Sequence, residues 1–157
     1  MKRRLRLASA FSLVELTLAL GVAAFCLISV FGLIPIGVQT NRNATSQTIA
    51  TNIAADVVAD LRGTPRCSGQ SSQFLIILGT GPGCPSTISP RAATLYIDSN
   101  GGVTTLGATS RYRVSVAWYG SSALRYADLN VTWPAAADPA ITTPSGSIEM
   151  FAAFDRN

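Results

Sequence analysis

The chain has 157 residues, 48% of them hydrophobic and 13% charged, with 13 Gly, 8 Pro, 3 Cys and no His. This length leaves room for one compact core, and the absence of histidine excludes a Ser-His-Asp triad and any histidine-ligated metal. The formal charge of +4 comes from 12 Lys/Arg against 8 Asp/Glu, but four of the bases lie in the first ten residues and the rest balance at eight against eight, so the basicity reports the N-terminus and not a nucleic-acid surface.

In chain order, the first element is a basic leader carrying Lys2, Arg3, Arg4 and Arg6. Behind it stands the hexapeptide Phe11-Ser12-Leu13-Val14-Glu15-Leu16, and no charged side chain then occurs between Glu15 and Arg42. Leu16 to Ile36 contains 21 residues, and a helix needs about 20 to cross a hydrocarbon core of about 30 Å. The leader charges then place the N-terminus in the cytoplasm and the chain after Arg42 on the far side of the membrane. An acid at the edge of such a segment costs on the order of 2.5–3.5 kcal/mol if it reaches the bilayer centre, which makes Glu15 a candidate functional residue. Gly21, Gly32 and the alanines at 19, 23 and 24 permit close helix contacts.

Two other targeting readings fit less well. A cleaved secretory signal would put its small-residue site after the apolar run, whereas Ala8-Ser9-Ala10 precedes it. Acylation of Cys26 would need a small residue before it, and Phe25 stands there.

Ala10-Phe11-Ser12-Leu13-Val14-Glu15-Leu16 resembles the class III signal of type IV pilins and type II secretion pseudopilins. The resemblance covers roughly Lys2 to Pro35, and it implies cleavage by a prepilin peptidase between Ala10 and Phe11, N-methylation of Phe11, and an assembly role for Glu15 at the fifth mature position. Ala10 departs from the family, which usually has Gly before the cut; cleavage efficiency is the property this affects. The stretch from Ala19 to Gly37 is also similar to a narrower set of pilin-like cassette proteins called Verru_Chthon cassette protein B. Elementary electrostatics supports the same role for Glu15. A new amino group on Phe11 would lie one helical turn from that carboxylate, and pairing with the amine of an adjacent subunit would set the axial register of packed helices, with desolvation offsetting much of the gain. The competing reading is an interfacial acid with no partner, held near the headgroups.

Pro35 and Gly37 are expected to kink or loosen the helix without ending it. The stem is read as 37–62: Ile49, Ile53, Val57 and Leu61 recur every fourth residue and form one apolar stripe, which Gly63-Thr64-Pro65 stops. Asp56 and Asp60, one turn apart, are read as part of the solvated face.

From residue 67 to 157 the texture is Gly, Ser, Thr and Pro with short runs of β-formers. Strands are expected at Phe74–Leu78, Thr94–Asp98, Arg111–Tyr119, Tyr126–Trp133 and Ser147–Phe154, with a turn at Asp98-Ser99-Asn100-Gly101-Gly102. The fold class is therefore α+β: a long kinked N-terminal helix, its first half transmembrane (11–36), packed on a small antiparallel head, which is also the fold that the pilin resemblance implies. Cys67 and Cys84 lie in the segment expected beyond the membrane, where an oxidising compartment favours a bridge over two free thiols. Arg111, Arg113 and Arg125 lie among Tyr112, Trp118, Tyr119 and Tyr126. A polyanion-binding face is one reading, and arginine stems covering a small sheet is the favoured one.

No phosphate loop stands out, and no closely spaced carboxylate pair beyond Asp56 and Asp60, which are more simply a solvated face, so no enzyme, cofactor or metal is expected, and no nucleic acid. The expected partners are the prepilin peptidase, other pilin or pseudopilin subunits and the inner membrane, with the head periplasmic or extracellular and the chain a minor pilin or pseudopilin of a filament. The alternative is a monomeric extracytoplasmic binding domain that uses the helix only as a tether.

Overall fold

A computed structural model describes residues 12–120 and 124–155. The chain divides into two compact units, one ending at Arg42 and the other beginning at Asn43.

Helix α1 runs from Leu13 to Gly63, 51 residues, with Pro35 inside it. Proline lacks the N–H that would bond the carbonyl of Phe31, yet the helix continues unbroken across it. The hydroxyls along the helix turn back onto its own carbonyls: Ser29 donates to Phe25 at 2.9 Å, Thr40 to Ile36 at 2.9 Å, and Thr51 to Gln47 at 2.9 Å. Each polar group is thereby satisfied within the helix, which is what an apolar surrounding demands of Ser29.

In the second unit, α1 buries Ser46, Ala50, Ile53, Ala54, Val57, Val58 and Leu61. Ile53, Val57 and Leu61 of the expected stripe are buried, and Ile49 packs against them at the margin. The helix stops at Gly63; Thr64 donates from its N–H to Leu61 and from its hydroxyl to Asp60, and Pro65 cannot extend the ladder.

The sheet has five antiparallel strands: β1 (Ala93–Ile97), β2 (Val103–Thr104), β3 (Tyr112–Gly120), β4 (Leu124–Trp133) and β5 (Gly146–Asp155), in the spatial order β2-β1-β3-β4-β5. Alternation sets the faces. Tyr112, Val114 and Val116 of β3, with Ala127, Leu129 and Val131 of β4, are buried against the apolar side of α1. The molecule is α+β, a long N-terminal helix and an antiparallel sheet, as the sequence implied.

The expected strand at Phe74–Leu78 does not form. Phe74, Ile76 and Leu78 do alternate inward and are buried, but Leu75 has φ of 55°, a left-handed conformation that interrupts an extended chain. Its carbonyl accepts from the Gln70 side chain at 2.8 Å, and a single bridge, Gln70 to Ile77, replaces a ladder. Conversely, β2 is only two residues long, too short for a periodicity signal.

Asp60 also differs from expectation. It lies on the stem helix, yet it is not simply a solvated acid: its carboxylate accepts from the Ser72 hydroxyl at 3.1 Å, the Gln73 N–H at 3.2 Å and the Phe74 N–H at 3.0 Å. Burial acts to raise its pKa, but the Phe74 N–H, the Ser71 hydroxyl and the Gln73 and Ser72 donors outweigh it and hold the carboxyl below the ordinary 3.8. Because the folded value is lowered, the stability that Asp60 contributes is present above pH 3.8 and is lost as pH falls through the lowered value. Asp60→Ala is therefore expected to lower the denaturation midpoint at neutral pH, and the gap to the parent chain is expected to close in acid. A gap of constant size from pH 7 to pH 2 would show that the charge is not what holds the loop.

Cys67 and Cys84 form a disulfide with a Cα–Cα distance of 5.4 Å and a sequence separation of 17. A loop of that length contributes roughly 3 kcal/mol in the chain-entropy picture. It closes a segment otherwise held by few regular hydrogen bonds.

Candidate functional site

Glu15 sits in the first turn of α1, where an acid faces the positive end of the helix macrodipole. The first backbone bond of that turn runs from the Leu16 N–H to the Ser12 carbonyl at 3.1 Å. Ala10 and Phe11, the candidate processing residues, lie outside the described residues.

From Ser12 through Thr45 every residue is exposed, including Leu13, Phe25, Ile28, Phe31 and Leu33, and this part of the chain makes no packed core. Such an apolar surface far exceeds the few hundred Å² that a soluble monomer leaves bare, so it requires a partner, lipid or protein. The helix is long and apolar enough to cross a membrane, and none of its most apolar window is buried. At 1.5 Å per residue the 21 residues from Leu16 to Ile36 reach about 30 Å. Glu15 is the only charged residue between Ser12 and Asn41. Cys26 is an exposed free thiol within this apolar stretch, and Pro35 and Gly37 are exposed there as well.

The arginines and aromatics of the head do not form a common strip. Tyr112 is fully buried and meets Trp133 edge-on, with ring centroids 6.3 Å apart. Trp118 packs near Phe154 and donates its indole N–H to the Arg91 carbonyl at 3.0 Å. Arg125 donates to the Leu78 carbonyl at 2.8 Å and so ties β4 to the disulfide-bearing loop. Arg113 pairs with Asp138 at 3.1 Å. The Ala140 N–H, more than the opposing slight burial, and the Arg113 guanidinium hold the Asp138 carboxyl below its ordinary pKa. Tyr119 and Tyr126 stack on each other at the end of the β3–β4 pair, 5.4 Å between centroids. Arg113, Arg125 and the four aromatic rings thus have separate neighbours within the head, in keeping with stems and rings covering a small sheet, while Arg111 is exposed just ahead of β3.

A cleft of about 680 Å³ opens at the end of the sheet, between the β1–β2 turn and the start and end of β3 and β4. Asp98, Asn100, Thr109, Arg111, Trp133 and Ser145 are among the residues that line it. The turn was legible in the sequence: Asp98 Oδ1 accepts from the N–H groups of Asn100 at 2.8 Å and Gly102 at 2.9 Å, and Gly101 takes φ of 86°. The cleft itself was not, because its walls come from segments far apart in the chain. Among the described residues no group of three or more Cys, Asp or Glu side chains is arranged to hold a metal ion.

No protein-family model matches the chain, and no curated protein or solved structure matches it either.

Proposed function

We propose that the chain is a minor pilin or pseudopilin, a structural subunit of a type IV pilus-like or type II secretion-like filament. The observation that carries this reading is the charge-free, wholly exposed helical segment that follows Glu15, continued in the same helix by a half whose apolar stripe belongs to the core of the head. A tether alone needs the first feature. It has no use for an acid one helical turn from a new N-terminus, whose cost in lipid calls for a compensating partner.

In this reading a prepilin peptidase cuts before Phe11, the new amino group is methylated, and the helix resides in the inner membrane with its N-terminal end toward the cytoplasm. Glu15 then attracts the amino group of a neighbouring subunit during assembly. A second reading, the monomeric membrane-anchored binding domain, draws support from the cleft in the head.

The mass of the N-terminal peptide of membrane-extracted protein tests the proposal. A chain beginning at N-methylated Phe11 is the expected result. An intact leader in cells with active prepilin peptidase would overturn the processing route and leave the tether.

A further inference from the structure

The cleft at the end of the sheet is built from groups that the fold itself leaves unused. Asp98 spends Oδ1 on its own turn, and no hydrogen bond within the described residues engages its Oδ2. Among the described residues the Arg111 guanidinium, the Asn100 amide and the Ser145 hydroxyl, all on exposed residues, and the indole N–H of the half-buried Trp133 likewise make no hydrogen bond to protein. Trp118 makes the contrast, since its indole N–H is bonded to a carbonyl. A polar group without a protein partner at a concave surface is one that water or a ligand satisfies.

The walls are held by backbone bonds that do not involve these groups. The Ala135 N–H donates to the Arg111 carbonyl at 2.9 Å, the Ser145 N–H to the Trp133 carbonyl at 2.9 Å, and the Arg111 N–H to the Ile97 carbonyl at 2.9 Å. Trp133 is fixed further by close packing on Gly146 of β5, where a Cβ would run into the indole ring. The backbone of the walls and the Trp133 ring are therefore in place before binding, and the side chains left to order are the exposed Arg111, Asn100 and Ser145.

The chemistry of the lining selects the ligand class. One carboxylate and one guanidinium give the cleft no net formal charge, so it is poorly suited to a simple anion or cation. An acceptor-only group, donor-only groups and groups that do both stand beside an indole and the ring of Pro134. A saccharide has that complement: hydroxyls that donate to Asp98 and accept from Arg111, and a ring face of C–H groups that packs on an aromatic surface. The volume of about 680 Å³ suits a short oligosaccharide segment. We infer that the cleft between the β1–β2 turn and Trp133 is a binding site for a neutral saccharide. The inference does not rest on the filament reading, since an assembled subunit and a tethered domain would carry the same cleft.

The test uses the full chain in detergent micelles, first on a printed array of diverse neutral and acidic glycans, then by titrating the best-retained glycan while the ¹⁵N–¹H indole signals of the two tryptophans are followed. The expected result is saturable movement of the Trp133 signal with Trp118 unmoved, and weakening of about tenfold or more in Arg111→Gln. Arg111 is exposed, so this variant is expected to keep the native circular dichroism spectrum, and Asn100→Ala on the opposite wall serves as a second variant. Retention of no glycan, movement of Trp118 instead, affinity unchanged in both variants, or equal displacement by free amino acids would each overturn the assignment.

Discussion

Glu15→Ala is expected to abolish incorporation of the chain into filaments while leaving membrane insertion and the melting of the head unchanged. All of residues 12–45 are exposed and the core draws on α1 only from Ser46 onward, so no buried group is removed with Glu15. Removing the carboxylate makes the spanning segment more apolar, so insertion gains if anything. In the filament proposed above, what is lost is the negative charge that would meet a neighbour's amino terminus. An unpaired ammonium in a low-dielectric environment costs several kcal/mol, enough to shift an assembly equilibrium by orders of magnitude. The assay is photo-crosslinking between subunits in membranes together with sedimentation of sheared filaments. Amine crosslinkers are unsuitable, because Lys2 is the chain's only lysine and lies in the leader. Glu15→Gln separates charge from shape: it is expected to fail as Ala does. Normal assembly of either variant would remove Glu15 from the mechanism.

The second large effect separates the two halves of the helix. Leu61 is 1% exposed and sits in the core cluster with Val57, Phe74 and Val114, whereas Leu33 is 66% exposed. Leu61→Ala leaves a cavity that a close-packed interior fills only in part, so it is expected to cost about 2–5 kcal/mol and to lower the melting temperature of the head by roughly 10–20 °C. Leu33→Ala is expected to leave that temperature where it is, since Leu33 is exposed and lies outside the core cluster. Thermal unfolding of both variants in the same detergent, followed by near-ultraviolet circular dichroism, makes the comparison. Equal effects from the two substitutions would mean that the apolar half is part of the folded core.

Much of this architecture could be read from one dimension. The spacing of Ile49, Ile53, Val57 and Leu61 places side chains about one turn apart, and a core-facing stripe follows from helical geometry alone. Four of the five strands announced themselves by alternation or by β-branched and aromatic runs, as in Arg111 to Val116, where each second side chain points inward. The turn after β1 was legible because Asp, Asn and Gly satisfy local backbone demands in place. Phe74 to Leu78 misled for an instructive reason. Its alternation is real and buries three side chains, but burial periodicity does not reveal whether the backbone between them is extended, and Leu75 is left-handed.

Asp60 shows the complementary limit. On a helix, an acid one turn from another reads as solvent-facing, because the pattern carries no information about what folds back over it. Its partners are 12 to 14 residues away, on a loop that reaches the helix after the chain has turned at Pro65. The Arg125 bond to the Leu78 carbonyl spans 47 residues. Neither contact leaves a local trace in the sequence.

The amino-acid sequence by itself determined a membrane-length apolar helix, an amphipathic continuation, an α+β class and the lone acid at position 15, because hydropathy, charge and helical or strand period are properties of neighbouring residues. Only the tertiary structure decided the partners of Asp60 and Arg125, the irregular course of residues 65–92, and the cleft between Asp98, Arg111 and Trp133, whereas the Cys67–Cys84 bridge was already favoured by the sequence. Those depend on which distant segments chain reversal brings within hydrogen-bonding distance, and a hydrogen bond of about 3 Å discriminates among arrangements that the hydrophobic pattern leaves equivalent.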